Sequence, residues 1–298
     1  MKTNLTEEQL ALLSTRSNTK AAWMFFCNYA IVIATFVFVF IWTNPVTIIL
    51  AIFILGARQL GFGVLVHECG HGTLFESKRL NQVMGDWFAA PAVLSNMQAY
   101  AQGHRQHHRL AGTADDPDLP NYRDYPISTS RLRRKLLRDI TGQTGWKQIT
   151  GIAKSIARFR DLRKDQQQAL TRGILFTVSL LVIVSAFGAA WLFLLWAIAF
   201  IVVNPLISRI RQIGEHAAVP DLYDLDPRLN TRSIIANWVE RLLICPMGVN
   251  YHLEHHLLAS IPAYNLPKMH AMLQNNNFYQ DTHFTHGYRE LYSQVTTR

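Results

Sequence analysis

Four long apolar runs decide what this chain can fold into. They cover about residues 21–42, 46–66, 170–189 and 190–208. A helix needs roughly 20 apolar residues to cross a hydrocarbon core about 30 Å thick, and each run approaches that length. In such a core the backbone is satisfied only inside helices or closed barrels. The predicted fold is therefore all-α and integral to a membrane. Thr43-Asn44-Pro45 and the stretch from Gly188 to Trp191 leave room only for tight connections. The four transmembrane helices are thus expected as two hairpins. Composition agrees: 16% of residues are charged, against about 25% in ordinary soluble domains, and the deficit lies in the runs.

The net charge is +9. A basic chain can meet nucleic acid or an anionic membrane surface. The apolar runs favour the membrane, and no nucleic-acid partner is expected. Arg16 and Lys20 flank the first run, and basic residues are dense from Lys78 to Arg172. Cytoplasmic loops carry the excess of Lys and Arg, so both termini and the central loop are predicted to be cytoplasmic. The segment from Met1 to Lys20 is polar and lacks the pattern of a secretory leader. Cys27, Cys69 and Cys245 are scattered and odd in number, which implies no disulfide framework. A single domain over residues 1–298 is expected, with its core at about 21–273. Two shorter apolar stretches, Val83 to Met97 and Ile234 to Met247, are too short to span. Arg58 and Gln59 interrupt the second run and are expected to face the bundle interior or to snorkel, with a polar contact near a substrate path as the alternative.

Eight of the twelve histidines fall into three clusters: His67-Glu68-Cys69-Gly70-His71, His104-Arg105-Gln106-His107-His108 and His252-Leu253-Glu254-His255-His256. A ninth, His216, follows the fourth run. Helical residues four apart share a face, so His67 and His71 point together. Each H-x-x-H-H cluster is expected to aim three imidazoles at one place. Imidazole suits iron, copper, zinc and nickel. Nine imidazoles overfill one metal and suit two, with positions left open for an oxidant. Soluble four-helix di-iron proteins use paired Glu-x-x-His motifs; here that spacing occurs once, from Glu68 to His71, and the ligand set is expected to be nearly all histidine. Glu68, Glu215 and Glu254 are candidates for orienting the imidazoles from behind. Gln212, one turn before His216, is a candidate for contact through water. His270, His283 and His286 have no paired spacing and are read as non-ligands. The four runs contain no histidine or acid, which argues against a metal transporter or a haem held between spans.

With this order of runs, the three clusters resemble those of the integral-membrane fatty acid desaturases, whose superfamily includes alkane hydroxylases and carotenoid ketolases. The resemblance covers about Ala21 to Leu273. It implies four transmembrane helices with a cytoplasmic helical cap around a di-metal site. It also implies two iron ions, with dioxygen as co-substrate. The ligands matched by position are His67, His71, His104, His107, His108, His216, His252, His255 and His256. The stretch Asn250 to His256, followed by Pro262 and Asn265-Leu266-Pro267, resembles the bacterial acyl desaturase branch, so a bacterial inner membrane is expected. Three residues separate the histidines of the first cluster, as in many acyl-lipid desaturases. The resemblance thus implies a membrane lipid or acyl substrate, with a hydroxylase or ketolase as the alternative. The chain holds neither a His-Pro-Gly-Gly stretch nor a cysteine cluster. A separate ferredoxin- or cytochrome-type donor with its reductase is therefore expected. The basic residues Arg131, Arg133, Arg134, Lys135 and Arg138 suit an acidic donor or lipid headgroups. The acyl chain is expected to reach the metals through an apolar tunnel between the spans.

Overall fold

The structure, a computed structural model, describes residues 3–280, 282 and 284–297; His283 lies outside them. It is mostly helical. Four helices are long and apolar enough to cross a membrane: Asn18–Ile41, Pro45–His71, Lys164–Ala186 and Leu192–His216. The third begins earlier than its apolar run, and the second and fourth end later than theirs.

The second helix is set by its two ends. The Asn44 side chain accepts from the backbone N–H of Val46 (3.0 Å) and Thr47 (3.1 Å). Pro45 takes the first turn, where no N–H is needed. Gly72, at φ +71°, stops the helix in the left-handed conformation. The helix therefore outruns its apolar stretch and carries His67 and His71 on its last turns. It is also the central helix, with 61% of its apolar window buried against 11% for the third. The third helix instead exposes Leu175, Val178 and Val182, and the first exposes Ile33, Val37 and Phe40.

Lipid tails are as apolar as leucine, so helices in a membrane associate through close packing. Glycine supplies that closeness at two points. A Cβ on Gly56 would meet Val203 Cγ1 at 2.5 Å, and one on Gly145 would meet the Ile201 carbonyl at 2.1 Å. Both contacts fall on a π-helical turn, Ala199–Val203, inside the fourth helix. Pro205 follows that turn. Proline has no N–H to give and crowds the preceding turn, which the wider π turn accommodates. Helical geometry then continues to His216.

Arg58 and Gln59 are buried. Arg58 donates to the Leu242 carbonyl, and Gln59 to the Trp196 carbonyl at 2.9 Å, so both point into the bundle. Neither short apolar stretch crosses. The first breaks into Lys78–Met84, a π turn and a 3-10 turn, packed on the second and third long helices and tied by Arg172 to Asp86 (3.2 Å). The second forms Trp238–Leu243 against the second long helix. The chain end returns as Thr296–Thr297, paired in parallel with Ile127–Ser128.

Candidate metal centre

Four helices deliver the nine histidines. Pro45–His71 carries His67 and His71. Met97–Leu110, capped by the Asn96 side chain, carries His104, His107 and His108. Leu192–His216 ends in His216. The short helix His252–Leu257 carries His252, His255 and His256. The nine gather into two groups, each with its candidate ligand atoms within 4.8 Å of one another. One group is His67, His71, His104, His108 and His255; the other is His107, His216, His252 and His256.

This partition corrects one sequence expectation. No H-x-x-H-H cluster aims all three imidazoles at one place. The members four apart stay together: His104 with His108, and His252 with His256. The third member of each diverges, because successive helical residues are turned by about 100°. His107 joins the second group and His255 the first. Each of these two helices therefore serves both groups.

Four of the nine Nδ1 atoms face outward to acceptors. His67 Nδ1 is 3.0 Å from Glu68 Oε1. His107 Nδ1 is 2.9 Å from Asp116 Oδ1. His216 Nδ1 donates to the Asn230 carbonyl at 3.0 Å, and His252 Nδ1 is 3.4 Å from Glu215 Oε1. Glu68 also accepts from Ala263 N (3.0 Å), and Glu215 holds Arg211 through both oxygens (2.5 and 2.9 Å). A hydrogen bond at Nδ1 fixes the tautomer and leaves Nε2 as a bare lone pair.

The Nε2 atoms then face one another. His67 and His104 approach to 2.7 Å, His104 and His108 to 2.9 Å, and His108 and His255 to 2.9 Å. His216 and His252 approach to 3.0 Å, and His107 and His256 to 3.3 Å. Burial, followed by the neighbouring imidazoles, holds His252, His255 and His256 far below the usual histidine range, and His108 down to about 3. These rings stay neutral, so opposed lone pairs such as those of His108 and His255 repel. A shared cation resolves the repulsion. Two imidazole nitrogens about 2.1 Å from one metal and at right angles lie about 3 Å apart, which matches the spacings. His71 Nε2 is buried with no hydrogen-bond partner among the described residues, as suits a ligand atom. The donor set thus fits metal ions, one in each group.

The other candidates separate. Glu68 and Glu215 lie behind ligand-set histidines. Glu254 reaches none of these rings; it binds Ser233, His270 and Tyr279. Gln212 lines a cleft of about 520 Å³ whose wall includes His104, His107, His216 and His252. That cleft touches both groups, and most of its other lining residues carry polar groups. His270 and His286 belong to neither group. Sequence reading missed Asp116 and Tyr122. Tyr122 donates to Asp116 and stacks on His216, with centroids 4.8 Å apart. The acidic run Asp115-Asp116-Pro117-Asp118, just past the second cluster, was the available signal.

A sequence-family model described as fatty acid desaturase matches residues 42–288, a stretch that holds all nine histidines. The chain belongs to the fatty acid desaturase family. It is a membrane protein of that family, with four apolar helices. It is similar to a dihydrorhizobitoxine desaturase of Bradyrhizobium elkanii, 26% identical over 76% of this chain and 66% of the relative. It is also similar to an sn-1 oleoyl-lipid 12-desaturase of a Picosynechococcus strain, 23% identical over 75% of this chain and 68% of the relative. A beta-carotene ketolase of a Paracoccus strain is 26% identical over 70% of this chain and 73% of the relative. The matches with the first two relatives span about two thirds of their length.

Proposed function

We propose that this desaturase family member holds two iron ions and uses dioxygen, with electrons from a separate ferredoxin- or cytochrome-type donor and its reductase, to place a double bond in a fatty acyl chain of a lipid. The observation that carries this reading is the sorting of nine imidazoles into two facing groups. Each group would hold one ion. When bound, iron supplies the oxidising power against an unactivated C–H bond that acid and base side chains lack. Overall, two hydrogens leave adjacent carbons and a C=C bond forms. Dioxygen takes up those hydrogens, two electrons and two protons, and departs as two waters.

The chain's own residues orient and insulate. Glu68, Asp116 and the Asn230 carbonyl fix the tautomers of His67, His107 and His216. The exposed Arg131, Arg133 and Arg134 suit an acidic donor. The connections at 42–44 and 187–191 lack Lys and Arg, and the loop between the pairs is basic. This supports two hairpins with the histidines and both termini on the cytoplasmic side of a bacterial inner membrane.

A second reading, a hydroxylase or ketolase, is favoured by the ketolase relative, which is as similar to this chain as the first desaturase. Expression in a host of defined lipid profile separates the two. Gas chromatography with mass spectrometry should reveal a new unsaturated acyl species and no new oxygenated one. Oxygenated products alone would turn the assignment to the second reading, and an unchanged profile would leave neither standing.

Asp116 offers a finer test. Its carboxyl stays below the usual range despite burial, because His107 and Tyr122 hydrogen-bond to it. Asp116→Asn should weaken metal retention by about 10–100-fold, the usual effect of losing such an outer partner. Competition with a chelator measures it, and parent-like retention would refute the role.

A further inference from the structure

The cleft beside the histidines does not resemble a slot for the middle of an acyl chain. The side chains of Asn121, Gln148, Ser208 and Gln212 line it. None of the four forms a side-chain hydrogen bond with the described residues, so all remain open to a ligand. The charged side chains of the wall are engaged internally. Arg209 holds Asp139, with a second contact at 3.1 Å, and Arg211 holds Glu215. Asp118 adds negative charge 3.8 Å from His107.

A second cavity of about 500 Å³ adjoins the cleft, and Ala99 and Gln148 line both. Val93, Leu94, Ile152, Leu162, Leu170 and Phe200 make most of its wall apolar. It lies between the helix Gln143–Ala157, the start of the third long helix and the middle of the fourth.

Two cavities touch both histidine groups, but the one between Val64, Tyr251 and Leu266 holds only about 10 Å³, so the reacting carbon must lie in the cleft of about 520 Å³. A run of methylenes there would strip water from polar walls and return no hydrogen bonds, which is unfavourable. A carboxylate or phosphate would find no unpaired cation and would meet Asp118. A hydroxyl, ester or amide satisfies the open side chains. The tail fits the apolar chamber.

Resting on the proposed function, we infer that the substrate is a single-chain amphiphile oxidised beside an uncharged polar end, with its tail passing Ala99 into the apolar chamber. The bonds made and broken are those given above; only their position along the substrate is new.

The test uses the iron-loaded protein in lipid nanodiscs with a ferredoxin and its reductase. The probes are a fatty primary amide, a fatty alcohol and a fatty carboxylate of equal length, and mass spectrometry locates the oxidised carbons. The amide and the alcohol should be oxidised next to the polar group, and the carboxylate poorly. Ala99→Leu, an exposed position, should lower turnover of a long-tailed amide about tenfold relative to a short-tailed one, the scale set by a methylene or two in a pocket. Iron content of the variant guards against misfolding. Mid-chain products, preference for the carboxylate, or equal effects on both tails would overturn the inference and leave the proposed function intact. No oxidised probe, with new double bonds in the acyl chains of the nanodisc lipids, would likewise overturn only the inference; oxidation of neither probes nor lipids would overturn both.

Discussion

Replacing His107 by alanine is expected to abolish the new unsaturated product and to lower bound iron from two ions to one. The reason lies in the partition of the histidines. His107 belongs to the group with His216, His252 and His256, while its neighbours His104 and His108 belong to the other group. Removing one of four nitrogens leaves three for one ion and all five for the other. His107 also links that ion to Asp116 through its Nδ1 at 2.9 Å, so the variant loses an orienting partner as well. Loss of an outer partner alone costs about 10–100-fold, and loss of a direct ligand should exceed that. Iron analysis of the purified variant, beside lipid profiles of the expressing cells, gives the result. Loss of both ions would point to general misfolding. Parent-like product with two ions would remove His107 from the metal site.

Much of this arrangement was legible in the sequence because it depends on local periodicity. Apolar run length marked the four long helices, and spacing of four marked the pairs His67/His71, His104/His108 and His252/His256. What sequence spacing could not convey was which pair joins which group. That depends on how Met97–Leu110 and His252–Leu257 are turned about their axes by packing. The middle histidines show it best: His107 and His255 lie in similar motifs yet enter opposite groups. Two of the Nδ1 neighbours, Glu68 and Glu215, were legible beside the histidines, but the other two were hidden for a related reason. The Asn230 carbonyl and Asp116 come from separate segments whose positions are tertiary facts. The boundaries shifted where helices outlast hydrophobicity, as at Lys164, where the helix begins before the apolar run, and at His216, where it runs on after it. Polarity of the cleft was unreadable as well, since Asn121, Gln148, Ser208 and Gln212 come from separate elements.

Glu254→Ala is expected to cost the protein both ions and about 1–3 kcal/mol of stability for each buried donor left without its acceptor. Glu254 is fully buried. Its Oε1 lies 2.5 Å from His270 Nδ1 and accepts from the Tyr279 hydroxyl at 2.5 Å, while its other oxygen accepts from Ser233. Ser233 in turn accepts from the Leu253 N–H at 3.0 Å. Burial, then the Glu254 carboxylate, pushes the Tyr279 phenol far above its ordinary range, so it stays protonated and keeps donating. One carboxylate thus pins the helix His252–Leu257 to three separate segments. That helix carries His252 and His256 for one group and His255 for the other. Alanine would leave Ser233, His270 and Tyr279 without their acceptor and free the helix to turn, which disturbs both groups together. The contrast with His107→Ala is the diagnostic: one variant empties one group, the other empties both while removing no ligand. Glu254→Gln, which keeps the shape and one acceptor oxygen, should fall between the parent and alanine. Thermal unfolding in detergent, paired with iron analysis, reads both effects. An alanine variant that kept two ions and parent-like stability would show that this helix is held by its packing alone.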